Sequence, residues 1–497
     1  MKLNKEEDLL SLKFRQQFLA SIASVDNVAR KKEAKKRYEI FKDNSKKFVL
    51  EAMAKESKDG KNIIPEIESR ASCISFCRKI IDKKAMVYKN PIERSFKNQE
   101  QLDAVVDLLN VDTVLKKANK YVELFKNTLI HVFPWQDMIT GKYNISLRVL
   151  APYDYDVLED SNNPEYVRAV VYSYEIGMGN DGKPQLNYIW WSTSYHFTTD
   201  DKGVILADLS PENYLNPIEE LPFVDLSEDK DNAYWAKGGD DIINCDILLN
   251  IAITDLNYII KYQSAGIFYV AGAGVPKEMK VGPSAMFTLE KREGDPPVDI
   301  GFATSNPPID SVLSAIEQHL NFVLSTNSLE TGSISGKITA KTASSGLQEM
   351  INRSENIDDI KDQQSIYCDA EPLLFRKIFK FLNEYGEKQQ LNEIYKDIGK
   401  VDTKELVVTK FAEPTIIQTE KDKLDMLQQR KELGLDTQID LVRKDNPEMS
   451  EEDAIKKLAE IKAEKVKNAL EQAKNSIINN EEEKDDVANG QQSNLQN

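Results

Sequence analysis

The chain has 497 residues, which exceeds the size of one compact core and predicts two or more domains. Hydrophobic residues make up 41% and charged residues 30%, and no run of about eighteen uncharged apolar residues occurs, so we expect a globular protein without a transmembrane span. The formal net charge of −17 argues against a protein that binds DNA tightly as a monomer. A negative wall would keep a polyanion from sticking, so a conduit for DNA remains compatible with this charge.

The cysteines and histidines do not suggest a disulfide framework or a metal site. Cys73 and Cys77 are spaced to share a helix face, and we expect both to be small buried residues. Only three histidines occur in the sequence, so we predict no structural metal and no cofactor. The N-terminus alternates charged with apolar residues and is predicted to be an amphipathic helix rather than a signal peptide.

Residues 1–130 are predicted to be mostly helical, with apolar residues at three-to-four spacing in 66–87 and 100–126. Between Arg30 and Lys47 the chain is strongly basic. A solvated helix face is the favoured interpretation of this stretch, and a contact with nucleic acid or a partner is the alternative.

The sequence period changes from helical spacing to two near His131. The stretches YNISLRVL, YVRAVVYSYEI and QLNYIWWSTSYHF are rich in β-branched and aromatic residues and are bounded by turn-forming residues. We therefore predict an antiparallel sheet over 128–207, with turns at Asp160–Pro164, Gly179–Gly182 and Asp200–Gly203.

Two long helices that enclose a short β-rich segment are predicted next. Residues 241–263 carry an apolar stripe at helical spacing and would form a rod of about 35 Å. Residues 264–310 contain short strands punctuated by Gly and Pro, among them Ile267–Ala271 and Met286–Glu290. The second helix covers 311–329, and Asp310 is its predicted N-cap.

The remainder begins with a small, polar stretch at 330–346 that is predicted to be a mobile loop. A long helix follows, which Pro372 should kink or interrupt, and a strand is predicted near 405–412. Short helices are expected over 420–475, and the Asn-, Gln- and acid-rich end is expected to be disordered.

Two glycine motifs superficially resemble nucleotide-binding sites. Gly177, Gly179 and Gly182 match G-x-G-x-x-G, but a strand rather than a helix is predicted to follow, so a hairpin turn is the better interpretation. The stretch from Gly332 to Thr339 has one residue too few between its glycines for a phosphate-binding loop. We find no catalytic pattern and predict that the chain is not an enzyme.

Several segments, taken in order, resemble the portal proteins of tailed bacteriophages. They are NIIPEIESRASCISFCRKIIDKKAMVYKNPIER at 62–94, NPIEELPFV at Asn216–Val224, the Ser345–Gly346–Leu347 step, and LGLDTQIDLVRKDNPEMSEEDAIKKLAEIKAE near the C-terminus. Gln348 departs from the small residue that often follows the Ser-Gly step. The resemblance spans nearly the whole chain and implies a mainly helical α+β fold of the portal type, with wing, stem, clip and crown.

The resemblance implies the following domain bounds. Residues 1–240 would form the wing, 241–263 and 311–329 the two stem helices, and 264–310 the clip between them. The tunnel loop would cover 330–346, and a long kinked wing helix with its return strand 347–415. The crown would cover 416–475 and a disordered acidic tail 476–497.

The resemblance also implies a function and partners. The chain would form a ring of about twelve copies, a dodecamer, at one capsid vertex, through which double-stranded DNA is packaged and ejected. The implied partners are the terminase large subunit, then a head–tail adaptor, together with the major capsid protein and the scaffolding protein, and no membrane. The implied location is the virion, after assembly in the host cytoplasm.

Lys337 and Lys341 are the only charges of the tunnel loop after Glu330, and we hypothesise that they contact DNA phosphates transiently. The hinge glycines of this loop would be Gly332, Gly336 and Gly346. Replacing both lysines with alanine tests the hypothesis, and an unchanged length of packaged DNA would refute it. Two other classes stay open: a structural or scaffolding protein of another assembly without DNA passage, and an enzyme whose site has no recognisable motif.

Overall fold

The structure is a computed structural model. It describes residues 1–56, 64–178, 182, 184–206, 214–228, 230, 233–264, 267–271, 299–303, 309–329, 346–412 and 455–460. The chain divides into two compact units, Met1–Pro414 and Thr415–Asn497. In the second unit the described residues, 455–460, are helical, and the rest of the predicted crown and tail lies outside the described residues.

Seven α-helices occupy the described part of the first 126 residues. A 3-10 helix at Glu6–Leu10 precedes them. Ser24 caps the second helix by accepting a hydrogen bond from the backbone N–H of Asn27, and Asn98 caps the sixth by accepting one from Gln101. The helices are α1 (Leu12–Ile22), α2 (Val25–Phe41), α3 (Lys46–Glu56), α4 (Ile64–Glu68), α5 (Phe76–Lys84), α6 (Gln99–Leu109) and α7 (Val111–Phe125).

Nine strands are described before the long helices, and most lie in the region where the sequence period is two. They are β1 (Lys2–Leu3), β2 (Ile92–Ser95), β3 (Asn127–Gln136), β4 (Tyr143–Leu150), β5 (Tyr155–Asp160), β6 (Val167–Met178), β7 (Pro184–Ser192), β8 (His196–Thr199) and β9 (Phe223–Ser227). Helices and sheets both occur in quantity, so the predicted α+β class is confirmed.

The sequence predicted one antiparallel sheet over 128–207, and the structure divides these strands between two sheets. One sheet has the order β4-β3-β9 and the other β1-β5-β6-β7-β8. The residues between β4 and β5 include Pro152 and a turn, so the chain leaves the first sheet there. Each sheet gains a strand from outside the predicted range, β9 in the first and the parallel β1 in the second.

The C-terminal half of the first unit is built on three long helices, α8 (Asp240–Ser264), α9 (Ile309–Thr326) and α10 (Gly346–Glu387). The strands β10 (Ile267–Ala271) and β11 (Asp299–Ala303) lie between α8 and α9 in the sequence and pair antiparallel. Strand β12 (Val408–Phe411) pairs with β2. The predicted strand Met286–Glu290 lies outside the described residues.

Two hydrophobic clusters form the core. The larger joins α2 and α5–α7 to the three-stranded sheet and to α8–α10. In the smaller, the N-terminal segment covers one face of the five-stranded sheet, where Phe18 packs against Trp190 with ring centroids 5.3 Å apart. The first unit therefore places the three long helices against the main core.

Three local predictions can be compared with the structure. The antiparallel pairing of β6 with β7 confirms that the Gly177–Gly182 motif belongs to a hairpin. Cys73 is exposed and precedes α5, so only Cys77 is buried, and the two do not share a helix face as predicted. Asp310 lies in the first turn of α9 instead of capping it, because the helix begins one residue earlier.

Candidate functional site: the long helices and their attachment

The chain enters α8 through two glycines in the left-handed region. Gly238 has φ +130° and Gly239 has φ +73°. A Cβ at Gly239 would lie 3.3 Å from Nη1 of Arg37, which donates a hydrogen bond to the carbonyl of Gly238 at 2.7 Å. Arg37 also pairs with the Asp240 carboxylate. The glycines therefore leave room for the α2 guanidinium to cover the start of α8.

A polar stripe on α8 ties this helix to the segment 72–77. Asp246, Asn250 and Thr254 are spaced by four residues, share one face of the helix and are fully buried. Asn250 Oδ1 accepts hydrogen bonds from the Ile74 N–H at 2.7 Å and from the Ser72 hydroxyl at 2.9 Å, and its Nδ2 donates to the Ile74 carbonyl at 2.9 Å. Thr254 accepts from the Ser72 N–H at 2.8 Å.

Asp246 caps α5 from a distant part of the chain. Its Oδ2 accepts a hydrogen bond from the Cys77 N–H at 2.8 Å, in the first turn of α5. Burial raises the pKa of Asp246 to about 6, although the hydrogen bonds from the backbone of Cys77 and Phe76 and from Asn250 act in the opposite direction. Ionisation of the Asp246 carboxyl is therefore less favourable in the folded protein than in water.

Helix α9 packs beside α8 in the opposite direction. Asn327, just beyond the C-terminus of α9, donates a hydrogen bond to the Asp241 carboxylate at 2.7 Å in the first turn of α8. Leu320 and Leu324 of α9 are buried, and Ile316 and Val323 pack against the main core. Only one stripe of α9 is therefore covered.

Both long helices also expose large apolar side chains. Leu248 and Ile260 of α8 are each 48% exposed. On α9, Leu313 is 44% exposed and Phe322 is 69% exposed. Scattered apolar residues are ordinary on a surface, but four large ones on two packed helices provide apolar area that another protein surface could cover.

The sequences of the two helices are acidic. Helix α8 contains four aspartates and one lysine, Lys261, and α9 contains Asp310 and Glu317 and no lysine or arginine. Their summed formal charge is −5 when every carboxyl is ionised. A polyanion near these helices would meet little attraction.

Helix α8 is also long and apolar enough to cross a membrane when length and composition alone are considered. The stretch Asp240–Ile260 has a mean hydropathy of 1.3, and half of its most apolar window is buried in the protein. The polar stripe of this helix is hydrogen-bonded to the segment 72–77, as described above, which is the environment of a core helix.

Glu371 attaches α10 to the strand pair β2–β12. This fully buried carboxylate accepts hydrogen bonds from Tyr88 at 2.9 Å, from Nε of Arg94 at 2.6 Å and from the Thr409 hydroxyl at 2.8 Å. The next residue is Pro372, and α10 continues through it without ending. The pairing of a buried carboxylate with Arg94 and two hydroxyl groups satisfies its charge next to the missing backbone N–H of the proline.

Most of the predicted site residues lie outside the part of the chain that the structure describes. Lys337, Lys341, Gly332 and Gly336 lie outside the described residues, and Gly346 is the first residue of α10. The structure therefore does not test the predicted DNA contact.

The basic stretch that the sequence singled out is partly used inside the protein. Arg30 and Lys31 both pair with Asp156, and the Arg30 guanidinium lies 3.6 Å from the ring centroid of Trp235. These contacts support neither a fully solvated face nor a nucleic-acid site for these two cations.

Sequence reasoning did not identify the polar stripe of α8 or the Glu371 cluster. The stripe had a usable signal, since Asp246, Asn250 and Thr254 recur every four residues in an otherwise apolar helix. The partners of Glu371 lie 277 or more residues away on one side and 38 on the other, and no local pattern indicates them.

Comparisons with known proteins do not assign a family. No family model matches the chain, and no curated protein matches it. Among solved structures, the chain is similar to a component of the virion of a native gene transfer agent particle, with 11% identity and a TM-score of 0.34. The match covers 74% of this chain and 85% of that chain. A likeness at this level identifies neither a fold nor a family.

Proposed function

We propose that the chain is one subunit of a portal ring of a tailed bacteriophage or a related particle, through which double-stranded DNA passes. The observation that carries the proposal is the unit formed by α8, the β10–β11 pair and α9. Two long antiparallel helices, joined through a strand pair and packed against the main core, are what a stem and clip require. In this proposal α8 and α9 are the stem helices and the 264–310 segment is the clip.

The exposed apolar side chains support assembly of several copies. Phe322 and Leu313 on α9, with Leu248 and Ile260 on α8, leave apolar surface that a neighbouring copy would remove from water. A head-to-tail interface of this kind closes into a ring when the rotation between neighbours divides a full turn. We propose about twelve copies.

The charge of the two helices supports a conduit rather than a binding site. Repetition around a ring would multiply every contact with DNA, so strong attraction would hold the duplex in place. Even with Asp246 buried and Asp240 paired with Arg37, the two helices keep more carboxylates than cations, which would repel phosphates and let the duplex slide. In the proposal, Lys337 and Lys341 are the few cations that contact DNA, and the terminase large subunit, the adaptor, the capsid and the scaffolding protein are the partners.

The mass of the purified assembly tests the proposal. Twelve copies of 56.5 kDa amount to about 680 kDa, and native mass spectrometry should find a species near that mass. Negative-stain images of the same sample should show rings with an axial hole. A compact monomer at high protein concentration would refute the proposal, and a closed assembly without an axial hole would favour a structural protein that passes no DNA.

A further inference from the structure

Three cations on α10 surround a single carboxylate. Arg376, Lys377 and Lys380 lie within one turn of the helix, and all three contact Glu220, which precedes β9. Lys377 Nζ is 3.6 Å from Oε1 of Glu220, and Lys380 Nζ is 3.1 Å from Oε2. Arg376 pairs with Oε1 through Nη2. Lys380 also donates to the carbonyl of Ile218 at 3.2 Å.

This cluster has an excess of positive charge. Three cations and one carboxylate leave a formal charge of +2, and in the part of the chain that the structure describes no second carboxylate lies within 4.0 Å of them. The chain as a whole carries −17, so the cluster is a local reversal of the overall sign. Like charges this close repel one another unless a counter-charge is present.

The excess charge is partly buried. The Lys377 side chain is 7% exposed, and its pKa is lowered to about 8. Burial is the largest cause, Arg376 and Lys380 act in the same direction, and Glu220 opposes the change. The Nε atom of Arg376 is buried and has no hydrogen-bond acceptor in the structure. A buried N–H without an acceptor costs free energy, so the cluster is not fully satisfied within the chain itself.

The cluster nevertheless remains open to solutes. The side chains of Arg376 and Lys380 are 33% and 32% exposed, and Glu220 is 20% exposed. An anion can therefore reach the guanidinium and one ammonium from solvent while Lys377 supplies charge from beneath.

We propose that Arg376, Lys377 and Lys380, held in place by Glu220, form a binding site for a phosphate group, either on a nucleic-acid backbone or free in solution. Free phosphate carries about −1.5 to −2 charges near neutral pH, which balances the +2 of the cluster, and two adjacent backbone phosphates with one charge each would do the same, whereas a single carboxylate balances half of it. A tetrahedral oxyanion also offers acceptors to the exposed part of the Arg376 guanidinium and to the Lys380 ammonium at once. This site is separate from α8 and α9, and the inference does not depend on the proposed ring.

Calorimetric titration of the full-length protein tests the site with two probes, inorganic phosphate and a short DNA duplex, at constant ionic strength. The double variant Arg376→Gln/Lys380→Gln should weaken binding of the effective probe by about tenfold or more, because two charged donors are lost. Lys377→Met is the second variant. It removes the buried charge and keeps the length of the side chain, and circular dichroism establishes that each variant is folded.

Lys388→Gln provides the matched control. Lys388 lies just beyond the C-terminus of α10, is 54% exposed and pairs with Glu384, so its loss removes one charge outside the cluster, as Lys377→Met removes one within it. The binding constant of Lys388→Gln for either probe should stay within about twofold of that of the original protein. A loss confined to the cluster variants and seen with inorganic phosphate identifies free phosphate as a ligand, and a loss seen with the duplex alone identifies the nucleic-acid backbone. Binding of both probes that is equal in all proteins, or absent in all, overturns the inference.

Discussion

The two long helices α8 and α9 lie side by side but are held in different ways. Helix α8 is buried along most of its length up to Leu256 and carries the polar stripe that is hydrogen-bonded to the segment 72–77. Helix α9 is buried along a single apolar stripe that includes Leu320 and Leu324, while Phe322 between them points to solvent. Helix α8 is attached through its hydrogen-bonded polar stripe, whereas the buried residues of α9 are mainly apolar and its C-terminal end is bonded through Asn327 to Asp241 and Lys84.

The difference indicates which helix is complete within one copy of the chain. A polar stripe is satisfied only in one register, because a shift of α8 would leave its buried groups without partners. The apolar stripe of α9 covers less than half of that helix, and its opposite face exposes Phe322. We therefore expect variants of α8 to affect folding and variants of the outer face of α9 to affect assembly.

The largest effect is expected from a pair of substitutions on α9. Leu324→Ala removes a fully buried side chain and should lower the free energy of unfolding by about 4 kcal/mol. Phe322 lies two residues earlier and is 69% exposed, so Phe322→Ala should change the free energy of unfolding by less than about 0.5 kcal/mol. Urea denaturation of dilute protein measures both.

The same pair should behave in the opposite way in assembly. If a neighbouring copy covers Phe322, its loss should weaken association by about 2 kcal/mol, or roughly thirtyfold, at each interface. Mass photometry over a dilution series measures this. Association of Phe322→Ala that equals that of the original protein would show that the exposed face of α9 is not the interface, and would remove the contrast between the two helices.

On α8, Asn250→Leu should lower the free energy of unfolding by about 3 kcal/mol, because the Ile74 amide and carbonyl and the Ser72 hydroxyl lose their partner. Asn321→Leu on the exposed face of α9 is the matched control and should have little effect. Urea denaturation compares the two variants. Equal stability of both would mean that the segment 72–77 does not depend on the polar stripe.

The sequence predicted the long helices better than the way they are attached. Regular apolar spacing over 241–263 corresponds to α8 (Asp240–Ser264). The spacing over 311–329 corresponds to α9 (Ile309–Thr326), which begins and ends slightly earlier than predicted. Local periodicity depends on neighbours within about two turns, so it is readable without the fold. The strands between residues 128 and 207 were likewise readable, since β-branched and aromatic residues alternate there.

The grouping of these strands into sheets could not be predicted in the same way. Strand β9 joins β3 across about a hundred residues, and the two-residue strand β1 joins β5 from the N-terminus. Contacts of this kind depend on the whole fold rather than on local spacing. The cluster around Glu220 has the same origin, because its cations lie more than 150 residues beyond the carboxylate. The tunnel-loop residues Lys337 and Lys341 stay a prediction.

The smallest expected effect is a dependence on pH that belongs to α8 alone. The pKa of Asp246 is about 6 in the folded protein and 3.8 as its ordinary value, so the folded state holds this proton more tightly than the unfolded state. The contribution of this carboxyl to stability therefore falls as pH rises from about 4 through about 6. Between about pH 4 and pH 7 the loss should amount to about 2 kcal/mol.

Asp246→Asn isolates this contribution, because the amide does not ionise and its oxygen can still accept from the Cys77 N–H. The original protein should lose about 2 kcal/mol of stability relative to the variant between about pH 4 and pH 7, measured by urea denaturation at each pH. Asp255→Asn, at an exposed position of the same helix, should give a smaller change, since less of its carboxyl is removed from water. A difference between the original protein and Asp246→Asn that does not vary with pH would mean that the pKa of Asp246 is the same in the folded and unfolded states, which contradicts the burial of this carboxyl.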